Sequence, residues 1–254
     1  MFPTDRPPQL MLPHLLLLRY TNPVSTLYII GTPIGNLGDI SFRAVEILKT
    51  VDLVACEDTR RTLKLLSHLG LRIPMISCRS QNEEFAAEKV IASLKEGKTV
   101  AYASDAGTPG VSDPGNLLVR LAAEAGHTVI PIPGPSAFAS LVSVSGSLDK
   151  TVVFEGFLSP KAGRRRSRLK ELLDMETAFV LYESPFRVLK LLTDLADLDN
   201  ERYVCVGREM TKVHEEYLRG SVAEILPVLA EKNRQIGEFS VFVSGKKTKN
   251  RVNY

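Results

Sequence analysis

The feature that most constrains the fold is a regular alternation of short apolar runs and amphipathic segments that begins at Leu27. Between residues 27 and 145, the pattern predicts five strands (27–31, 52–56, 74–77, 99–104 and 128–132) and five helices (41–50, 59–69, 82–95, 114–125 and 136–145). Apolar strands that alternate with helices form a mostly parallel sheet covered on both faces. This part of the chain is therefore predicted to be an α/β domain.

A second unit follows the polar, glycine-bearing segment 146–150. Its predicted strands are 152–157, 178–183, 203–207 and 238–243, and its predicted helices are 163–173, 186–197 and 221–232. Residues 214–220 alternate weakly, which predicts a further strand in a more antiparallel sheet. We therefore expect an N-terminal α/β domain over 27–147 and a C-terminal α/β domain with a mixed sheet over 151–245.

The two ends of the chain depart from this pattern. Residues 1–26 hold five prolines and a run of four leucines that is too short to span a membrane. Neither a basic start nor a small-residue cleavage site accompanies that run, so it does not resemble a signal peptide. We expect a disordered or non-native leader over 1–26 and a basic tail over 246–254.

Composition restricts the compartment and the chemistry. Net charge is +3 from 32 basic and 29 acidic residues, which permits an RNA partner without requiring one. Three widely spaced cysteines do not form a disulfide framework, so we predict a reducing compartment, the cytoplasm. The four histidines are scattered, so no metal site is predicted.

Three loops rich in glycine and proline follow predicted strands, at residues 31–38, 105–115 and 133–137. Ligands of open α/β sheets bind beyond the carboxyl ends of the strands. Glycine lets a backbone approach a ligand closely, and proline stiffens the loop. The three loops are therefore predicted to converge on one preformed pocket.

The composition of these loops restricts the ligand. The first loop spaces its glycines as GxxxGxxG, which is neither the dinucleotide fingerprint nor a Walker A motif, and the three loops contain neither lysine nor arginine. A phosphate-bearing cofactor is therefore disfavoured. A ligand with an ammonium group, a cationic sulfur and an adenosine suits acidic, carbonyl-rich loops better, with Asp105 as its counter-charge.

Six motifs occur in the order TPIGNLGDI, EDTR, SDAGTPGVSDPG, PGPSA, FEGF and YESPFR. Together they are similar to the ribosomal RNA small-subunit methyltransferase I family, which belongs to the tetrapyrrole-methylase-like class of S-adenosylmethionine-dependent enzymes. The similarity covers residues 27–245. It implies a two-domain α/β fold, a homodimer and S-adenosyl-L-methionine in the cleft between the domains. It also implies 2′-O-methylation of a cytidine ribose in the decoding region of 16S ribosomal RNA.

The resemblance also implies site residues. The positions that match cofactor-contacting loops are Pro33, Ile34, Asp105, Ala106, Gly107, Thr108, Pro109, Ser136, Ala137 and Tyr182. Where the family pattern often has histidine before Asn-Glu, this chain has Gln81, which cannot transfer a proton in its place.

Removal of a ribose hydroxyl proton calls for a base. Glu57 and Glu183 are the candidate catalytic residues, and Glu209 is a further one. Glu183 and Glu209 could instead pair with nearby arginines such as Arg187 or Arg208, and Asp58 is expected to cap the helix that follows it.

Segment 161–170 is the densest basic run of the chain. Arg164, Arg165, Arg166 and Arg168 are predicted to bind RNA phosphates, and the alternative is a solvated helix start. Basic residues near a helix N-terminus oppose the helix dipole, which favours the functional interpretation. The predicted partner is small-subunit ribosomal RNA or the assembled small subunit, with no membrane partner.

Two other functions stay open. A methyltransferase of a related branch could act on a tetrapyrrole or another small molecule, although such a substrate gives no reason for the basic run. A non-catalytic ribosome-assembly factor could keep the fold, although it would not need a cofactor pocket.

Overall fold

A computed structural model describes residues 25–231 and 234–245 of the chain. The basic tail 246–254 and residues 1–24 of the expected leader therefore lie outside the described residues. Ser25 and Thr26, which the sequence assigned to the leader, belong to the fold. The Ser25 hydroxyl lies 2.8 Å from His127 Nδ1, and Thr26 pairs with Thr128 in a parallel ladder.

In the described part, strands and helices of the first domain alternate strictly. They are β1 (Thr26–Ile30), α1 (Phe42–Leu48), β2 (Leu53–Cys56), α2 (Thr59–His68), β3 (Met75–Ser77), α3 (Glu83–Lys95), β4 (Val100–Ala103), α4 (Asn116–Glu124), β5 (Thr128–Ile132) and α5 (Ala137–Val144). The strand order is β3-β2-β4-β1-β5, and each neighbouring pair is parallel. The predicted parallel sheet is confirmed.

The first sheet is buried on both faces, as its apolar runs predict. Its central strand β4 is buried at every residue. One hydrophobic cluster contains Tyr102 and Leu118, and another contains Ile30 and Leu66. This packing fixes the carboxyl ends of the strands, from which the ligand-binding loops extend.

The second domain has a mixed sheet. Its elements are β6 (Val152–Phe157), α6 (Ala162–Asp174), β7 (Ala178–Glu183), α7 (Val188–Asp199), β8 (Tyr203–Arg208), β9 (Glu216–Ser221), α8 (Val222–Ala230) and β10 (Phe239–Val243). In the order β6-β7-β10-β8-β9, the β6–β7 pair is parallel and the others are antiparallel. The predicted mixed sheet is confirmed, and the weakly alternating segment forms the antiparallel strand β9.

One helix starts later than the sequence predicts. The prediction placed Pro114 in the first turn of α4, but the helix begins at Asn116. Gly115 precedes it with a φ of +125°, which lies outside the helical region. A Cβ at Gly115 would also lie 2.5 Å from Cε1 of Tyr102. Gly115 therefore turns the chain against this ring and delays the helix start.

Candidate functional site

The three predicted loops meet at the carboxyl edge of the first sheet. The Thr32 N–H donates to the Gly107 carbonyl at 2.8 Å, and the Gly107 N–H donates to the Thr32 carbonyl at 3.0 Å. These bonds join the first loop to the second. The Thr108 hydroxyl donates to the Pro135 carbonyl at 3.3 Å, which joins the second loop to the third. The predicted convergence of the loops is confirmed.

Two glycines set the spacing between the first and third loops. A Cβ on Gly31 would lie 2.8 Å from Gly134 Cα, and a Cβ on Gly134 would lie 2.5 Å from the Gly31 carbonyl oxygen. Both contacts are with backbone atoms, which cannot rotate away as a side chain can. The close approach of these loops therefore depends on glycine at both positions.

A cavity of about 510 Å³ opens between these loops and the second domain. The first domain contributes Ile34, Glu57, Arg61, Asp105, Ala106, Gly107, Thr108, Val111, Ser112, Asp113, Ser136 and Ala137. The second domain contributes Phe157, Tyr182, Glu183, Ser184, Pro185, Met210, Glu238, Phe239 and Ser240. The cavity thus lies between the two sheets, where the family resemblance implies the cofactor cleft.

Most of the predicted cofactor positions reach this wall. Eight of the ten line the cavity: Ile34, Asp105, Ala106, Gly107, Thr108, Ser136, Ala137 and Tyr182. The other two, Pro33 and Pro109, are chain neighbours of lining residues. Because proline fixes φ, these two residues stiffen the loops from outside the cavity wall. Gln81 is exposed and does not line the cavity either.

The cavity wall is acidic. Five carboxylates line it, at Glu57, Asp105, Asp113, Glu183 and Glu238, against one lining cation, Arg61. The Arg61 Nε lies 3.4 Å from Asp105 Oδ2, with most of its side chain exposed. An anionic ligand such as a phosphate would meet repulsion here, whereas a cationic ligand would offset the negative charge.

Two of these carboxyls are destabilised in their charged form. Burial raises the pKa of Glu57, and the nearby charges of Asp105 and Asp113 raise it further. Burial also raises the pKa of Asp113, against the nearby Ser104 hydroxyl, which lowers it. Asp113 was not among the predicted site residues, although it lies in the motif SDAGTPGVSDPG. Its position in that motif was the available signal.

The other acidic candidates are held by cations. Glu183 Oε1 lies 2.6 Å from Arg187 Nη2 and accepts the Ser184 N–H at 2.7 Å. Glu183 therefore forms the ion pair with Arg187 that was the alternative to a role as base. Glu209 pairs with Lys212 at 2.8 Å rather than with Arg208. Asp58 caps α2, as expected, by accepting the Arg60 N–H. Of the candidate bases from the sequence, Glu57 remains without such an ion pair.

Tyr182 presents a neutral phenol to the cavity. Its oxygen accepts the Phe138 N–H at 2.9 Å, and burial raises the pKa of the phenol to about 12. The exposed ring of Phe157 packs edge-on against it, with ring centroids 5.8 Å apart. Tyr182 can therefore donate a hydrogen bond near neutral pH but cannot serve as a base there.

Comparison with known proteins identifies the family. Residues 26–226 match the family described as Tetrapyrrole (Corrin/Porphyrin) Methylases. Curated relatives carry the name "Ribosomal RNA small subunit methyltransferase I". The relative from Borrelia garinii subsp. bavariensis is 46% identical over 86% of this chain and 98% of its own length. The relative from Thermotoga maritima is 44% identical over 87% and 98%, respectively. The chain belongs to the ribosomal RNA small subunit methyltransferase I family.

Solved structures share the fold of this family member at much lower identity. A cobalt precorrin-4 methyltransferase aligns with a TM-score of 0.60 at 16% identity, over 86% of this chain and 94% of the other. The uroporphyrin-III C-methyltransferase from Thermus thermophilus aligns with a TM-score of 0.61 at 17% identity, over 87% and 94%. These likenesses show the fold, a parallel first sheet followed by a mixed second sheet, and nothing about the substrate.

The arginine run of this family member forms the first turns of α6 and is largely neutralised. Arg165 is buried, with its Nε 2.7 Å from Asp194 Oδ2. Arg166 contacts Asp194 and Asp197, and Arg168 contacts Glu155 and Glu171. Three of the four predicted phosphate contacts are thus engaged in ion pairs, and the expectation for the buried Arg165 is corrected. A buried guanidinium cannot meet a phosphate without leaving its partner.

We expect the two neighbouring arginines to differ sharply on truncation. Arg165→Ala leaves the buried Asp194 carboxylate without its closest partner and should lower the free energy of unfolding by about 3 kcal/mol. Arg164→Ala removes an exposed side chain and should change it by less than about 0.5 kcal/mol. Urea denaturation of both variants measures the difference. Equal stabilities would contradict the buried ion pair.

A second group of cations lies nearer the cavity and was missed by the sequence analysis. Arg60, Arg61 and Lys64 are exposed on the first turns of α2, shortly after Glu57. Arg60 pairs with Asp58 at 2.6 Å and Arg61 with Asp105 at 3.4 Å, so the charges of these two arginines are partly offset. Arg79 is exposed, and its Nε donates to the Glu57 carbonyl at 3.1 Å. These residues are separated in sequence and meet only because β2 and β3 are neighbours in the sheet. We call Arg60, Arg61, Lys64 and Arg79 the rim cations.

Residues 25–231 and 234–245 lack two features. No helix there is both long and apolar enough to cross a membrane. The same residues contain no group of three or more His, Cys, Asp or Glu side chains placed to hold a metal ion.

Proposed function

We propose that this protein transfers a methyl group from S-adenosyl-L-methionine to the 2′-hydroxyl of a cytidine in the decoding region of 16S ribosomal RNA. The observation that carries the proposal is an acidic cavity enclosed by three lysine-free loops, in a chain whose relatives are named ribosomal RNA small subunit methyltransferases. We further propose that it acts in the cytoplasm as a homodimer, on the strength of the family resemblance.

The cavity residues fit this methyl donor. A volume of about 510 Å³ lies within the range of small-molecule sites. The wall combines apolar groups, such as Ile34 and Met210, with the carboxylates that a sulfonium and an ammonium group require. S-adenosylmethionine supplies an electrophilic methyl group when bound.

The chain's own residues hold and orient the reactants. Asp105 is fixed because its Oδ1 accepts the Asp58 N–H at 2.9 Å. A carboxylate held in this way presents its charge to a cationic ligand without further ordering, which favours binding. Tyr182 offers a hydrogen-bond donor from the opposite wall. Alignment of the acceptor oxygen with the methyl carbon then supplies much of the acceleration, because the reaction is an in-line displacement.

The RNA is proposed to lie across the cavity mouth. Of the rim cations, Arg61 lines the cavity and Arg79 donates to the carbonyl of the lining residue Glu57, while the exposed Arg164 lies in the first turn of α6 on the second domain. Phe157 and Phe186 are largely exposed, and Phe186 follows the lining residue Pro185. Cations offer phosphate contacts, and exposed rings offer a stacking surface for a nucleobase. The mouth therefore has the chemistry of a single-stranded RNA site.

Removal of rim charge should weaken RNA binding in a salt-dependent way. The double variant Lys64→Gln and Arg79→Gln should reduce the slope of log K against log salt concentration by about 1.4, or about 0.7 per lost phosphate contact on single-stranded RNA. Fluorescence anisotropy across a salt series measures the slope. Lys95→Gln is the matched control, because this exposed lysine ends α3 at the opposite edge of the sheet. Equal slopes in the three proteins would refute the RNA role of the rim.

Affinity for S-adenosylmethionine should fall as the pH is lowered through the raised pKa values of Glu57 and Asp113. Protonation removes negative charge from the wall, while the sulfonium and ammonium groups keep their charge. Calorimetric titrations from about pH 6.5, below the ordinary α-amino pKa of about 8, down to the ordinary carboxyl pKa of about 4 measure the decline. The double variant Glu57→Gln and Asp113→Asn should bind more weakly at high pH with a flatter profile. A flat profile for the unaltered protein would contradict the charge argument.

The decisive experiment maps ribose methylation in ribosomal RNA. We expect RNA from a strain that lacks this gene to miss one 2′-O-methylcytidine in the decoding region, and purified protein with S-adenosylmethionine to restore it. Both naked RNA and assembled small subunits are offered as substrate. An unchanged methylation map would refute the proposed function. Methylation of a small tetrapyrrole instead of RNA would favour the other branch of the superfamily.

A further inference from the structure

The five carboxylates of the cavity differ in their hydrogen-bond and ion-pair partners within the protein. Asp105 accepts the Asp58 N–H, and Glu57 accepts the N–H of Asp105. Glu183 is held by Arg187, and Glu238 lies 3.0 Å from Lys212 Nζ. Each of these four carboxylates therefore has part of its charge offset by a backbone N–H or a cation.

Asp113 is the exception. The Ser104 hydroxyl, which donates to the Gly107 carbonyl at 3.4 Å, lies close enough to lower the pKa of Asp113, and among the described residues no lysine, arginine or histidine forms a salt bridge with this carboxylate. A hydroxyl offsets a negative charge less than a cation does. Asp113 thus enters the cavity with free acceptor capacity and an uncompensated charge.

The position of Asp113 places it between the two domains. Its charge acts on Glu57 and Tyr102 of the first domain, and also on Tyr182 in β7 of the second. The same loop is held in place because the Gly115 N–H donates to Glu83 Oε1 at 3.0 Å. Asp113 is therefore a carboxylate on the cavity wall that faces groups of both domains, in a loop anchored two residues further on.

We propose that Asp113 is the base that takes the proton of the acceptor ribose hydroxyl, an inference that rests on the proposed RNA methylation. In this step the hydroxyl O–H bond breaks, and its proton passes to a carboxylate oxygen of Asp113. A bond forms between the acceptor oxygen and the methyl carbon. The bond from that carbon to sulfur breaks, and sulfur keeps the electron pair as a neutral thioether. Charge and atoms balance without any further reactant.

The electrostatics of the site support Asp113 in this role. Burial raises its pKa above that of an ordinary carboxyl, and a base whose pKa lies nearer the working pH takes a proton more readily. Glu57 also has a raised pKa, but its carboxylate already accepts a backbone N–H. The charged or titratable groups around Asp113 are Glu57 after β2, Arg61 on α2, Glu83 on α3, Tyr102 and Asp105 on and after β4, and Tyr182 on β7.

The raised pKa also predicts a change in stability that distinguishes a catalytic carboxylate from a structural one. A carboxyl whose pKa is higher in the folded than in the unfolded state stabilises the fold at low pH. That contribution to the free energy of unfolding is lost as the pH rises from the ordinary carboxyl range through the raised value. Near neutral pH the charged Asp113 therefore opposes folding. Asp113→Asn keeps the shape of the side chain but removes that charge. It should unfold at the same temperature as the unaltered protein or at a higher one, whereas loss of a structural carboxylate would lower it.

The experiment compares Asp113→Asn, Glu57→Gln and the remote control Asp174→Asn in single-turnover methylation of the RNA substrate. We expect Asp113→Asn to slow the methyl-transfer step by roughly 100-fold or more. Its rate should also lose the rise with pH that the unaltered protein shows through the raised carboxyl pKa. Glu57→Gln should keep that rise, and Asp174→Asn should match the unaltered protein.

Binding of the neutral-sulfur product, S-adenosylhomocysteine, checks that the Asp113→Asn site is intact, and we expect it within a few-fold of normal. A full rate with an unchanged pH profile in Asp113→Asn would overturn the inference, as would a loss of the pH-dependent rise in Glu57→Gln instead. If the unaltered protein itself fails to methylate RNA, the proposed function fails and not the assignment of the base within it.

Discussion

Asp105→Arg is expected to lower the affinity for S-adenosylmethionine by at least about 100-fold, or about 2.8 kcal/mol of binding free energy. Asp105 lines the acidic cavity, and its orientation is fixed by the Asp58 N–H. Replacement by arginine reverses one charge of the wall and adds a cation beside Arg61, which lies 3.4 Å from Asp105. A pair of unit charges 4 Å apart near a protein surface interacts by about 4 kcal/mol. Reversal of the charge at residue 105 is therefore large enough to cause this loss of binding free energy. Isothermal titration calorimetry measures it.

Two controls separate charge from fold. Asp105→Asn keeps an acceptor for the Asp58 N–H and should lose roughly 10-fold in affinity, or about 1.4 kcal/mol. Asp174→Arg reverses an exposed aspartate at the end of α6 and should bind normally, because a cation suits a helix C-terminus. Normal binding by Asp105→Arg would show that the methyl donor does not occupy this cavity.

The product S-adenosylhomocysteine identifies which positive group Asp105 serves. This product keeps the ammonium group but has a neutral sulfur. If Asp105 faces the ammonium, the Asp105 variants should lose affinity for donor and product equally. If it faces the sulfonium, they should lose affinity mainly for the donor.

The sequence predicted the fold well where local pattern determines it. Continuous apolar runs such as β4 are typical of strands that are buried on both faces, and their alternation with helices leaves a parallel sheet as the consistent arrangement. Loop chemistry then predicted the convergence on the cavity, since parallel strands end at one edge. The start of α4 was wrong because the Gly115 turn depends on contact with Tyr102, which is 13 residues away in the chain.

The site was only partly predictable, because electrostatic partners are long-range. Arg165 looked free in a basic run, yet it pairs with Asp194, 29 residues away, through the packing of α6 on α7. The far wall of the cavity comes from the second sheet, with Met210 and Ser240 supplied by segments that carry no ligand-binding pattern. Asp113 was hidden for the opposite reason. Its motif was recognised, but a lack of ionic partners is visible only in three dimensions.

The other large effect concerns the two glycines that set the loop spacing. Gly31→Ala and Gly134→Ala should each lower the free energy of unfolding by about 1–3 kcal/mol, because the new Cβ meets backbone at 2.8 and 2.5 Å. The loops can accept the methyl group only by moving apart, which disturbs the Gly31 N–H bond to the Ile132 carbonyl at 3.1 Å. Binding of S-adenosylmethionine should weaken by more than roughly 10-fold, since the same loops line the cavity.

Gly163→Ala is the matched control for these substitutions. Gly163 lies in α6 with nothing within 4 Å of a built Cβ, and its φ lies outside the left-handed region. Alanine there should raise stability by about 0.5–1 kcal/mol, because glycine is the poorer helix former. Thermal denaturation of the three variants should show lower stability for Gly31→Ala and Gly134→Ala and higher stability for Gly163→Ala, although each adds one methyl group. Calorimetry measures the binding of S-adenosylmethionine by the same variants. Normal binding by both loop variants would mean that the loops can separate without loss of the site, and that the close glycine contact is not what shapes the cavity.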